Sequence, residues 1–502
     1  MTVIHNIQGW LGKKIWFLVL LPVFYFLHLA TEYHPVITPG SLVMPVSAWL
    51  LGVPIFLYVC LRFIKPSFVK YAVCIFYLEL IFFFFSNIHL FIEKAIPFLG
   101  HYKTLLPLLA LGLLLLIVYT RKMKAPPFRF FLYLNTLMIV LLIVECGQYL
   151  IKTVPSVKKA LSFNNPNSDL PPIPPCDTCL KPDVYFIIFD SYTSSKQLKD
   201  YWHYDNSGLD SFLLNRGFYD ALHSRSNYNY TPFSIGSILN MDYHRMTFNS
   251  KIDMLQYCEG IKTIENNRVC RLFEQMGYTI INHSFFPVPG DKPRQDLGFL
   301  VSNQEMLLTP TLFFKIQEDI AWNFVDTNRR VTIADEIIQN KLFGLQQTQN
   351  TYRNLLALAS QPHDKPLFVY THLLLPHDPY FYDSSGKVKP QSAWNNQANI
   401  EKDYLEQLKY TNTLIKNMVD HLQKTATRPR VIIIQGDHGY RDYPIVPNNM
   451  EFNNLNAIYC PDRQYAGLYD SITSVNTFRF ILHKYFKAPL SLLKDSTVYI
   501  RH

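Results

Sequence analysis

The chain has 502 residues, 49% of them hydrophobic and 15% aromatic, which is rich for a soluble protein and enough for roughly two or three domains. Its formal charge is +9. Nine basic residues, Lys13, Lys14, Arg62, Lys65, Lys70, Arg121, Lys122, Lys124 and Arg129, flank apolar segments near the front and equal that whole charge. The basic balance therefore reports membrane topology and gives no ground for nucleic-acid binding.

Five apolar segments predict five membrane-spanning helices. They lie between Lys14 and Glu32, between Glu32 and Arg62, from Tyr71 to Ile92, from Thr104 to Thr120 and from about Phe130 to Ile151. Four further segments behind the first argue against a cleaved signal peptide. The nine basic residues fall in the amino-terminal segment and in the second and fourth connections, so the amino terminus is expected inside and everything after the fifth span outside. Glu79 and Glu145 stand within spans, where a carboxylate is costly. Glu79 is the better candidate for a role there, and Glu145, near the outer end, can reach headgroups.

Six prolines between Pro166 and Pro182 predict an extended spacer. The expected organisation is a transmembrane domain over 1–151, a linker over 152–182 and an outer domain over 183–502. In an oxidising compartment Cys176 with Cys179, and Cys258 with Cys270, could pair; a zinc ribbon would need a second CxxC, and the sequence has none. From Asp183 onward, short apolar runs alternate with amphipathic stretches: "VYFIIFD", 196–214, "YTIINHS", 333–360, "PLFVYTHLL", "YLEQLKYTNTLIKNMVDHLQK" and "RVIIIQGDHG". This alternation predicts an α/β domain with a mostly parallel sheet.

Three of the predicted strands end in polar residues: Asp190, then His372 and His377, then Asp437 and His438 followed by Gly439. A single Asp there is an ordinary cap or turn former. Three such ends in one α/β domain, where chemistry gathers at the carboxyl ends of strands, fit a divalent-metal site, because carboxylate oxygen and neutral imidazole nitrogen are both good ligands. Between them, Thr231-Pro232 opens a predicted helix, and two readings stand. Thr231 is a helix N-cap with Pro at the first helical position, or it is a metal-activated nucleophile at a helix end suited to phosphate.

The order Asp190, Thr231 with Ser234 three residues on and Leu239-Asn240 beyond, His377-Asp378-Pro379 and Asp437-His438-Gly439 resembles the sulfatase-like branch of the alkaline phosphatase superfamily. In sulfatases a Cys-x-Pro-Ser-Arg element carries a Cys that is oxidised to formylglycine. Here Thr231 stands at that Cys and Ile235 at the Arg, which argues against a sulfatase. Thr at the nucleophile position, five spans and an outer catalytic domain are similar to lipoteichoic acid synthases and lipid A phosphoethanolamine transferases. The resemblance implies a Zn²⁺ or Mn²⁺ site on Asp190, Thr231, Asp437 and His438, Thr231 as the residue that becomes phosphorylated, and His377 near the substrate or leaving group. His372 is expected beside it, with Asn227 and Arg441 as phosphate or acceptor contacts. The first ligand of both transferase families is Glu, so Asp190 is nearer the sulfatase pattern. The implied activity takes a phosphoryl headgroup from a membrane phospholipid donor to an envelope lipid or glycan, at the outer face of a bacterial inner membrane. A phosphodiesterase or sulfate-ester hydrolase, and a catalytically inactive binding protein, are the alternatives.

Overall fold

The computed structural model describes residues 10–34, 37, 47, 49, 52, 66–163, 179–246, 248, 251–252, 254–295, 307–319, 327–394, 399–441 and 450–501. It divides into two units, residues 1–162 with 300–332, and residues 163–299 with 333–502. The first unit thus takes in a stretch, 300–332, that lies within the predicted outer domain.

In the first unit, three helices are long and apolar enough to cross a membrane, over Val69–Ala95, Tyr102–Lys122 and Phe128–Thr153. We label the elements α1 (Phe17–Glu32), α2 (Ala72–Ala95), α3 (Tyr102–Lys122) and α4 (Phe128–Phe163). The first expected span is the shorter α1, and the second lies outside the described residues. So the five expected spans become, among the described residues, three helices of spanning length and one shorter apolar helix. Phe17, Leu18 and Leu21 of α1 pack against Ala72 of α2 and Phe131, Leu134 and Met138 of α4. Asn135 ties the start of α1 down: its Oδ1 accepts from Phe17 N at 2.8 Å, and its Nδ2 donates to the carbonyls of Leu11 and Lys14. The bond from Phe17 N satisfies one of the free N–H groups at the start of α1. Glu145 is buried with Oε2 3.3 Å from His28 Nδ1, so it does not simply reach for headgroups. Helix α4 continues through Phe163, and so occupies the start of the expected linker.

The second unit is built on a six-stranded sheet: β1 (Asp183–Phe189), β2 (Phe218–Asp220), β3 (Thr279–His283), β4 (Leu367–Leu373), β5 (Arg430–Gln435) and β6 (Asn456–Tyr459), in the order β2-β6-β5-β1-β4-β3. Strands β3, β4, β1 and β5 run parallel, whereas β6 is antiparallel to both β5 and β2. The expected mostly parallel sheet is therefore a mixed one with a parallel centre. Every residue of β1, β4 and β5 is buried, as their near-continuous apolar runs require of strands covered on both faces. Alternate side chains divide the core. Tyr185, Ile187 and Phe189 pack with Tyr404, Leu408, Ile415 and Met418 of α7 (Ile400–Lys424, after α5, Thr231–Asn240, and α6, Thr327–Ala359). Phe186 and Phe368 stack instead with Phe273 and with Phe478 of α8 (Thr477–Phe486). Cys258 and Cys270 remain thiols, so the pairing considered for them does not occur. Cys179 is disulfide-bonded, and Cys176 lies outside the described residues.

Candidate functional site

Strands β4, β1 and β5 are neighbours in register, Ile188 lying opposite both His372 and Gln435. Their carboxyl ends are consequently side by side. This brings together Asp190 just past β1, His372 within β4 and Asp437-His438 just past β5. Gly439 permits the tight packing there: a Cβ on it would stand 2.3 Å from the Met450 carbonyl oxygen and 2.6 Å from that of Asn453. Its role is close backbone approach, where the sequence suggested a turn.

One oxygen of each carboxylate is tied and the other is not. Asp437 Oδ1 accepts from Ser191 N at 3.0 Å, and Asp190 Oδ2 lies 3.1 Å from His372 Nε2. Asp437 Oδ2 and Asp190 Oδ1 are buried without a hydrogen-bond partner. Those two oxygens face His438 Nε2, at 3.4 and 3.8 Å. His438 Nδ1 is 2.7 Å from the Gly439 carbonyl, which can only accept, so Nδ1 carries the proton and Nε2 turns a lone pair inward. Burial pushes the His438 imidazole down, Asp437 opposes this and Arg441 assists it. Burial alone would raise the Asp190 carboxyl, but His377, His372 and His438 outweigh it and hold it well below the usual carboxylate range.

Two carboxylates and a neutral imidazole, all buried, with ligand atoms within 4.8 Å of one another, form the one metal-competent cluster among the described residues. Ligand bonds of about 2.0–2.2 Å to a tetrahedral ion imply ligand separations of roughly 3.3–3.6 Å, close to those seen. A negative, unpaired, dry cluster of this kind fits a divalent cation, which would supply the missing charge.

Thr231 completes the set. It is the first residue of α5, with Tyr230 at the N-cap position and no side-chain cap bond there. The expected Thr231 cap is therefore displaced by one residue. The Thr231 hydroxyl stands 3.3 Å from His438 Nε2, and the residue is buried. Ser234, one turn into α5, donates to the Asp437 carbonyl and locks the helix to the loop that carries Asp437 and His438.

The other expected residues divide. His372 is fully buried, with Nδ1 3.0 Å from the Tyr370 hydroxyl and Nε2 toward Asp190, so it orients the carboxylate. His377 is partly exposed, lies 2.9 Å from Asp378 Oδ1 and acts on Asp190 electrostatically. Arg441 Nη1 donates to the Asn229 carbonyl at 3.1 Å, and its guanidinium covers the Tyr230 ring at 4.6 Å, so it clamps the backbone leading into Thr231. Asn227 is spent elsewhere. Its Nδ2 donates to Tyr243, Thr473 and Ser496, and its Oδ1 accepts from Val475 N, so the carboxamide holds the carboxyl-terminal segment and has no donor left for a phosphate.

Sequence reasoning missed Ser191 and Gln295. Ser191 takes φ 62°, a left-handed conformation that costs a non-glycine residue energy and turns its N–H to Asp437. Gln295 Nε2 donates to the carbonyls of both His283 and His372, bridging the ends of β3 and β4. Neither carries a local signal.

Residues 199–480, more than half of the chain, match the Sulfatase family. No curated protein matches the chain. Among solved structures it is similar to the C-terminal periplasmic domain of EcEptC from Escherichia coli (11% identity over 66% of this chain and 94% of that one, TM-score 0.40). It is also similar to the integral membrane protein lipooligosaccharide phosphoethanolamine transferase A from Neisseria meningitidis (15% identity over 95% of each chain, TM-score 0.37). A third is the phosphonate monoester hydrolase SpPMH from Silicibacter pomeroyi (15% identity over 63% and 75%, TM-score 0.37). With the match running through Thr231, His377, Asp437 and His438, the chain belongs to the sulfatase family.

Proposed function

We propose that the chain is a membrane-bound enzyme that transfers a phosphoryl headgroup, phosphoethanolamine or phosphoglycerol, from a phospholipid to a hydroxyl of an envelope lipid or glycan. The observation that carries this reading is the Thr231 hydroxyl at 3.3 Å from His438 Nε2, beside two carboxylates with unpartnered oxygens. Asp190, Asp437 and His438 would hold a Zn²⁺ or Mn²⁺ ion with Thr231 Oγ1. Such an ion, when bound, eases loss of a hydroxyl proton and balances charge on phosphoryl oxygens.

The chain's own residues do the rest. Ser191 N–H and His372 fix the carboxylates, and the Gly439 carbonyl keeps the His438 proton on Nδ1, so that Nε2 stays a lone-pair donor. Thr231 Oγ1, having released its proton to solvent, forms a bond to phosphorus as the bond to the diacylglycerol oxygen breaks. His377, exposed enough to meet substrate, is the residue we assign to protonating that leaving oxygen. An acceptor hydroxyl then attacks phosphorus, giving its proton to the His377 that protonated the leaving oxygen, and Thr231 Oγ1 leaves and takes a proton back from solvent. The catalytic unit works at the outer face of a bacterial inner membrane, and the three helices of spanning length support a lipid donor.

Hydrolysis is the second reading, favoured by Asp190 standing where the resembling transferases carry Glu. Full-length protein in lipid, loaded with Zn²⁺ or Mn²⁺ and given headgroup-labelled phospholipid, separates the two. A transferase releases diacylglycerol and passes label to glycan or lipid hydroxyls faster than to water. Rapid turnover of soluble sulfate or phosphate esters with no phospholipid consumed would replace our reading with the hydrolase.

A further inference from the structure

The chain of the second unit breaks off at residue 299 and resumes at 333, and the stretch between belongs to the first unit. Within it, residues 307–319 are held to the apolar helices by three independent contacts. The Tyr25 hydroxyl of α1 donates to the Leu307 carbonyl at 2.7 Å. Ser86 N of α2 donates to the Pro310 carbonyl at 3.0 Å. Leu312 packs into the cluster of Ile81, Phe85 and Leu105 from α2 and α3.

The second contact has a cause in α2 itself. Phe84 departs from helical geometry (φ −111°, ψ 20°), which breaks the helix there. A kink of this kind marks a place where another group enters the helical hydrogen-bond ladder, and here the entering group is the Pro310 carbonyl. At bilayer depth an irregular backbone is tolerated only where the surrounding protein satisfies its polar groups, and these bonds satisfy two carbonyls of the segment.

Depth follows from the same contacts. Ser86 comes seven residues before Glu93, and Tyr25 seven before Glu32, the acidic residues at the outer ends of their helices under the expected orientation. At about 1.5 Å per residue, each contact lies roughly 10 Å below those charges, well inside a leaflet whose hydrocarbon half is about 15 Å thick. The segment nevertheless leaves apolar side chains uncovered by protein: Leu308 is 46% exposed, Phe313 62% and Ile316 37%. In water this would be a costly apolar exposure, comparable to that of Leu108, Leu111 and Leu115 of α3. In a bilayer such side chains face lipid, as the exposed leucines of α3 do. The sequence carries Lys315, whose long stem lets its ammonium reach the interface, and turns wholly polar at Gln317-Glu318-Asp319, where the segment leaves the apolar layer.

We propose that residues 307–316 form a re-entrant element inserted into the outer leaflet, with Leu308, Phe313 and Ile316 against phospholipid acyl chains. The catalytic chain is thereby fastened to the membrane at a second place, in addition to its covalent link through α4. The partner is a lipid surface.

The test reads location and is independent of turnover, so its outcome is separable from that of the transferase reading. A photoreactive benzoyl-phenylalanine is placed singly at Phe313, Ile316, Leu115 or Leu214 of the full-length protein in phospholipid vesicles, each variant first checked for an unchanged melting transition. Lipid adducts are then counted by mass spectrometry. Leu115 stands on a spanning helix and Leu214, 68% exposed, lies in the second unit. Positions 313 and 316 are expected to give adducts at the level of Leu115 and at least ~5-fold above Leu214, as apolar side chains placed at the acyl boundary should. Adducts no more frequent than at Leu214 would overturn the proposal, and so would an absence of lipid at Leu115, which would remove the membrane frame on which it rests.

Discussion

Replacing Asp437 by Asn separates metal binding from folding by moving them in opposite directions. In the metal-free protein, Asp437 and Asp190 place unpartnered oxygens within 4.8 Å of one another in a buried site. Two like charges at that distance repel by about 3 kcal/mol at an effective dielectric of about 20. An Asn keeps the oxygen that accepts from Ser191 N and offers an N–H toward the orphaned Asp190 Oδ1. Stripped of metal with a chelator, Asp437→Asn is therefore expected to melt a few degrees above the stripped parent. Metal at about 100 times its Kd adds about 2.7 kcal/mol to the parent and almost nothing to the variant, so the order of melting temperatures reverses on adding Zn²⁺ or Mn²⁺. Differential scanning of full-length protein with and without metal reads both halves. A variant that melts lower than the parent in chelator, and is stabilised by metal as much as the parent, would refute the argument.

Thr231→Ala is expected to lose at least ~10³-fold in turnover while its stability falls by only about 1 kcal/mol, the worth of one hydrogen bond, because Thr231 does not cap its helix; Thr231→Ser should restore activity, and steady-state kinetics beside a melt check both. His372→Ala leaves Asp190 Oδ2 without its partner and should weaken metal affinity by roughly 10- to 100-fold, measured by metal titration, with His372→Gln recovering part of it. Asp220, on the edge strand β2, has its carboxyl pushed up to about 8 by burial and by Asp210 and Asp470. A folded-state pKa above the unfolded one means that the folded state holds the extra proton, so stability should fall as pH rises from about 4 to 8. Asp220→Asn should flatten that slope in denaturation curves taken across the window.

The buried Asp190, Asp437 and His438 cluster was legible because it lies at strand ends. A four-residue apolar run followed by Asp437-His438-Gly439 announces both the strand and the polar groups it presents, and the same holds for Asp190 after "VYFIIF". What the sequence hid is whatever depends on partners distant along the chain. Asn227 reads as a polar loop residue, yet its bonds run to Thr473, Val475 and Ser496, some 250 positions away. The reversed strand β6 is four residues long and offers no direction of its own. The Tyr370 hydroxyl reaches His372 because residues two apart on a strand share a face, a relation visible once β4 is known to be a strand. Residues 307–319 resemble any amphipathic stretch of the outer domain, and the bonds from Tyr25 and Ser86 and the packing of Leu312 reveal where they belong.

The central claim is that Thr231 carries the transferred group. Full-length protein in vesicles, loaded with metal and supplied with headgroup-labelled phospholipid in the absence of acceptor, is quenched in acid and digested, and its peptides are sequenced by mass spectrometry. The account predicts one labelled phosphoryl adduct, on Thr231, that disappears when an acceptor is added and never forms in Thr231→Ala. Diacylglycerol release that continues in Thr231→Ala, or an adduct on another residue, would contradict it.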